Sequence, residues 1–117
     1  MADQPLFSVV LLKQLCDNDT AFVNEMLRQF VDTVPASVAE LNAAFDQNDF
    51  TSVSRIAHRL KPAIRHMDID LLKEPIQVLE YLAAEQPDSP QIGILVHLVE
   101  GVLHKVCVQL QKTQYNH

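Results

Sequence analysis

A chain of 117 residues with a formal net charge of −6, 48% apolar residues and two glycines can bury one hydrophobic core, but has too few turn-forming residues for an all-β fold. The acidic balance excludes a general nucleic-acid binder, which needs a broad basic face. Cys16 and Cys107 stand alone with no spacing suited to zinc, and the opening M-A-D-Q-P-L-F-S has no basic region followed by an apolar one, so no signal peptide is expected.

Ser8 is placed to cap a short helix over Val9 to Leu15, with Phe7 and Leu12 at the spacing of a hydrophobic staple. Asp17-Asn18-Asp19 stops that helix and caps the next. From Thr20 to Phe45, Phe22, Met26, Phe30, Val34, Val38, Leu41 and Phe45 recur every three or four residues, which predicts one long amphipathic helix bent at Pro35. Asn48-Asp49 is the next turn and cap. A third helix follows, and Asp68 or Asp70 is expected to cap a fourth with Ile69, Leu72, Ile76, Leu79 and Ala83 inward. Ser89-Pro90 starts the last helix, whose apolar face runs through Ile92, Leu95, Val96, Val99, Val102, Leu103, Val106 and Leu110. Its Gly93 and Gly101 are expected to admit a close neighbour, and His97, Glu100, His104 and Lys105 argue against a membrane span. These elements predict one all-α domain over residues 1–117: an antiparallel up-down-up-down four-helix bundle with the short first helix across one end.

The third helix, centred on Val53 to Met67, is chemically distinct. It holds Arg55, Arg59, Lys61 and Arg65, four of the nine lysines and arginines, and no acid. Val53, Ile56, Ala57, Leu60, Ile64 and Met67 form its apolar stripe, while His58, Lys61 and Arg65 share another side. A protruding neutral imidazole is a nucleophile. Lys61 and Arg65 disfavour a second positive charge on it and would stabilise a phosphoryl group once attached. There is no nucleotide-binding glycine loop and no acidic metal cluster. The nucleotide and the magnesium of any phosphoryl chemistry therefore belong to a partner, and no cofactor or metal is expected on this chain.

Ala57-His58-Arg59-Leu60-Lys61, followed by Leu72 and Leu79-Glu80 and preceded by Phe22, Glu25-Met26-Leu27, Phe30 and Val38-Leu41, resembles the A-H-x-L-K signature and helix pattern of histidine-containing phosphotransfer (HPt) domains over roughly residues 17 to 85. The resemblance implies a bundle whose exposed histidine takes a phosphoryl group from one receiver domain's aspartyl phosphate and passes it to another. On it, His58 is the phospho-acceptor and Lys61 its electrostatic partner, with Arg65 a further contributor. The receivers would be those of a hybrid sensor kinase, a response regulator or both. Pro62 and Asp68 stand where the family commonly has glycine, and Pro62 removes the N–H that would bond the carbonyl of His58. A bend after Lys61 is expected, changing the docking surface.

Arg55, Arg59, Pro62 and His66 are read as the docking rim, although a solvated helix face explains the arginines equally well. His97, Glu100 and His104 share a face but lack the complementary ligands of a bundle metal site. A phosphate carrier without kinase activity is expected: cytoplasmic, monomeric and stand-alone, with no membrane or nucleic-acid partner. The alternative is a helical adaptor that docks a receiver or another signalling protein without being phosphorylated. A dephosphorylating role is disfavoured because the sequence has no water-activating acid beside His58.

Overall fold

The computed structural model describes residues 5–113, and among them the chain forms five helices: α1 (Val10–Leu15), α2 (Thr20–Asp46), α3 (Phe50–His66), α4 (Asp70–Glu85) and α5 (Gln91–Thr113). Two starts follow from capping chemistry. The Asp19 side chain accepts from the Phe22 N–H at 3.2 Å and the Asp49 side chain from the Ser52 N–H at 3.2 Å, each satisfying a donor that the first turn leaves open. Ser8 acts one residue early: its hydroxyl accepts from the Val10 N–H, and α1 begins at Val10 rather than Val9.

The helix ends depend on a conformation that glycine usually supplies. Asp17, Asn18, Asn48 and Asp68 have φ between 49° and 59°, the left-handed region in which Asp and Asn are the best-tolerated substitutes for glycine. Three of these ends close in the same way, by hydrogen bonds from Asn18 N to Lys13 O (2.8 Å), Asp49 N to Ala44 O (2.9 Å) and Ile69 N to Ile64 O (3.0 Å), the six-to-one bond of a Schellman motif. This corrects the expected cap of α4. Asp68 lies in the left-handed turn and Asp70 is the first helical residue, so neither caps; Ile69 occupies the cap position without a side-chain bond. Lys73 instead bridges the two carboxylates at 2.8 Å each.

α2 and α3 each remain one helix through Pro35 and Pro62. The inward face of α2 differs from the expected stripe at its start: Val23 and Leu27 are buried, Met26 is only partly so, and Phe22 is 52% exposed. Steps of four residues advance about 40° each, so the stripe from Phe22 to Val38 walks about 160° around the helix, more than one packed face covers. Alternating three and four keeps Val23, Leu27, Phe30 and Val34 on the core.

Each long helix packs on the next, and α5 returns to α2, so the contacts close a ring. Connections of three to five residues join these neighbours, which makes consecutive helices run antiparallel. α1 rests on α2 with Leu12 buried, and the leading segment is pinned by Ser8 N donating to Met67 O (2.8 Å) and Leu6 N to Gln109 Oε1 (2.9 Å). It thus crosses the end where α3 turns into α4. By length and composition Gln91–Lys112 could cross a membrane. Its Ile92, Val96, Val99, Leu103 and Val106 are at most 1% exposed, and α2 and α4 pack against the helix, as expected of a bundle's core helix.

Candidate functional site

The site lies on the seam between α3 and α4, the most extensive helix pair. Val53, Ile56, Ala57, Leu60 and Ile64 of α3 and Leu72, Ile76, Leu79, Leu82 and Ala83 of α4 are all buried in the one core. A buried aliphatic side chain contributes about 1.5–3 kcal/mol relative to exposure, so the burial along this pair holds the two helices against each other. The carbonyl of Glu80 accepts from Ser54 Oγ at 3.0 Å, a polar tie along the same seam.

His58 stands opposite the apolar stripe, with its side chain 71% exposed. Glu80, beside the buried Leu79, reaches from α4 with both carboxylate oxygens engaged: Oε2 lies 2.7 Å from His58 Nδ1 and Oε1 2.9 Å from Lys61 Nζ. Burial pushes the Glu80 carboxyl up, but the hydrogen bonds from Lys61 and His58 and their charges outweigh it and hold it below the ordinary glutamate range. An ionised carboxylate can only accept, so Nδ1 carries the proton and donates. In the neutral imidazole this tautomer has its lone pair on Nε2, at the opposite edge of the ring.

Glu80 is the residue missed from the sequence: an acid does stand beside His58 in space, 2.7 Å from its Nδ1. It faces Nδ1 rather than the nucleophilic edge, which suits orientation of the ring and not activation of a water. A signal for it was available. His58 lies ten residues before Asp68, the centre of the α3–α4 connection, and Glu80 lies twelve after it, so the two stand at nearly mirrored positions. Antiparallel helices with equal rise per residue bring such positions nearly level.

Arg55, Arg59, Pro62 and His66 divide between two grooves. Arg55 lines one of about 420 Å³ with Thr51, Ser54, His58, Glu80, Ala83 and Ala84. Arg59, Pro62 and His66 line the other, about 260 Å³, against Met26, Phe30 and Met67 on the α2 side. The Arg59 guanidinium is also tied to Glu40 (3.2 Å) and Ser37 Oγ (3.3 Å). Arg65 is exposed and lines neither groove. Lys61 has 21% side-chain exposure and reaches His58 through the shared glutamate.

The second histidine set is not assembled as a metal site. His97 Nδ1 is 3.8 Å from Glu100 Oε1, while Glu100 Oε2 accepts from Asn42 Nδ2 at 2.6 Å. His104 faces a separate groove with Pro35, Val38, Gly101 and Cys107. Among the described residues no group of three His, Cys, Asp or Glu side chains converges on a common point.

The sequence profile of the Hpt domain matches residues 25–112. Over 91 residues the chain is 33% identical to the virulence sensor protein BvgS of Bordetella pertussis and of Bordetella parapertussis, and 32% identical to that of Bordetella bronchiseptica. Each alignment covers 77% of this chain but 7% of the relative, so the chain spans a small part of those proteins' length. No solved structure matches it.

Proposed function

This chain belongs to the Hpt domain family, phosphocarrier modules that work with receiver domains in phosphorelays, and we propose that His58 is its phosphoryl acceptor, loaded by one receiver and discharged to another. The observation that carries this reading is the 2.7 Å bond between Glu80 and Nδ1, which presents Nε2 of an exposed imidazole as the nucleophile. The Nε2 lone pair attacks the phosphorus of an aspartyl phosphate. The Nε2–P bond forms as the P–O bond to the aspartyl carboxylate breaks, and that carboxylate leaves with the electron pair. The proton stays on Nδ1, and the positive charge that develops on the ring faces Glu80. Transfer onward is the same step reversed on a second receiver.

Lys61 is within reach to share its ammonium between Glu80 and the incoming phosphoryl group. Arg59, Pro62 and His66, around the α2 side of the histidine, form the docking wall. Magnesium is held by the receiver, and this chain works as a monomer in the cytoplasm. Incubation with a phosphorylated receiver tests the reading. An acid-labile, base-stable label is expected on the wild type and absent from His58→Gln. Label that survives the substitution overturns the assignment, and absence of label with every cognate receiver leaves the non-phosphorylated adaptor. Pro62→Gly is expected to change the receivers accepted without changing the labelled residue.

A further inference from the structure

Resting on His58 as acceptor, the geometry points to Arg55, and not Arg65, as the second cation that binds the phosphoryl group. A phosphoryl group carries close to two negative charges. Lys61 offers one positive charge, but its Nζ lies 2.9 Å from Glu80 Oε1, so the pair is close to neutral. A further donor is needed at the histidine.

Side chains on a helix lean toward its N-terminus, so the ring of His58 covers the turn that holds Ser54 and Arg55. The structure shows the result: Arg55, Thr51 and Ser54 line the same groove as His58 and Glu80, the alanine methyls of Ala83 and Ala84 complete it, and the carboxylate of Glu80 is engaged by His58 and Lys61. Arg55 lies three residues before the histidine, about 4.5 Å along the helix axis on the side toward which the ring leans. Arg65 lies seven residues beyond it, about 10 Å away on the opposite side. Arg59, the remaining arginine of α3, is paired with Glu40 at 3.2 Å and lines the other groove. The guanidinium of Arg55 makes a 3.4 Å contact to Ser52 Oγ and lies in the field of the Asp49 carboxylate, an exposed attraction and no short ion pair. It can turn to the phosphoryl oxygens, for which its planar fork of N–H donors is suited.

Phosphoramidate, a small donor that needs no docking partner, separates phosphoryl binding from receiver recognition. Its N–P bond breaks as Nε2–P forms, and the leaving nitrogen takes a proton from water to depart as ammonia. On the full chain, the Arg55 Nε–H resonance is expected to shift and gain exchange protection when His58 is loaded, and that of Arg65 to stay in place. Arg55→Gln is expected to lower the phosphorylated fraction seen by phosphorus NMR by roughly five- to tenfold, the size of one exposed charge-assisted hydrogen bond. Arg55→Lys should recover part of the loss, and Arg65→Gln should stay within about twofold of wild type. An Arg55 resonance unmoved at full loading, or a loss in Arg65→Gln but not Arg55→Gln, overturns the assignment. Absence of label on the wild type, or its persistence in His58→Gln, fails the acceptor reading instead.

Discussion

Two histidine–glutamate pairs on this molecule differ in how firmly the fold fixes them. His58 and Glu80 meet across helices at 2.7 Å, with the carboxylate 24% exposed and also bonded to Lys61. His97 and Glu100 are one turn apart on α5 at 3.8 Å, with side chains 73% and 43% exposed. The Glu100 carboxylate is already committed to Asn42, and the His97 ring sits edge-on to Phe45 with centroids 6.4 Å apart. A local pair on one exposed helix face contributes a few tenths of a kcal/mol and orients little. The cross-helix pair inherits the rigidity of the α3–α4 core, so its geometry is set before any partner arrives.

The sharpest way to break this comparison is to exchange the histidines: His58→Gln should abolish phospho-labelling and His97→Gln should leave it intact. Next is the support beneath Glu80. Leu79→Ala, which empties a fully buried position, should lower stability by about 2–5 kcal/mol in urea unfolding. Leu103→Ala on α5 should cost a similar amount while leaving the labelling rate of the folded fraction unchanged. Equal loss of labelling in both would mean that the seam contributes only stability. Glu80→Gln should slow labelling by about tenfold, the equivalent of one charge-assisted hydrogen bond, with Glu100→Gln unaffected. pH probes the first of these pairs. Because the folded Glu80 carboxyl titrates below its ordinary range, its stabilisation is present above the unfolded glutamate pKa and lost as pH falls through the depressed folded value. Urea unfolding between pH 7 and pH 3 should show an acid-side loss that shrinks in Glu80→Gln.

How much of this was legible in the sequence depended on whether a feature was local. The A-H-x-L-K segment places His58 outward because Ile56, Ala57, Leu60 and Ile64 define the buried face within one helix, and periodicity reads that directly. The Asp19 and Asp49 caps are equally local. Glu80 required the axial register between two helices, which the α3–α4 connection sets and no single-helix pattern contains. Phe22 failed for a related reason, since choosing steps of three or four depends on where the neighbouring helices lie. Asp68 shows the opposite case. The glycine common in the HPt family at that position has a physical counterpart here in a φ of 49°, yet the residue alone suggested a helix cap.

The smallest contrast concerns the two glycines of α5, both expected to admit a close neighbour. A Cβ on Gly93 would stand 2.9 Å from the Phe45 ring tip, whereas one on Gly101 would meet nothing within 4 Å. At Gly101 alanine therefore gains only the helix preference, worth up to about 1 kcal/mol. At Gly93 the same gain is opposed by the displacement of Phe45, whose ring is also edge-on to Phe50 and His97 at 6.4 Å each. Overpacking of this kind costs about 1–3 kcal/mol, so it outweighs the propensity term. Gly101→Ala should raise the unfolding midpoint and Gly93→Ala should lower it, with both leaving phospho-labelling unchanged because Phe45 lies on the α2–α5 side. If Gly93→Ala slowed labelling, the two sides of the bundle would be mechanically coupled, and the rigidity assigned to the α3–α4 seam would belong to the whole bundle.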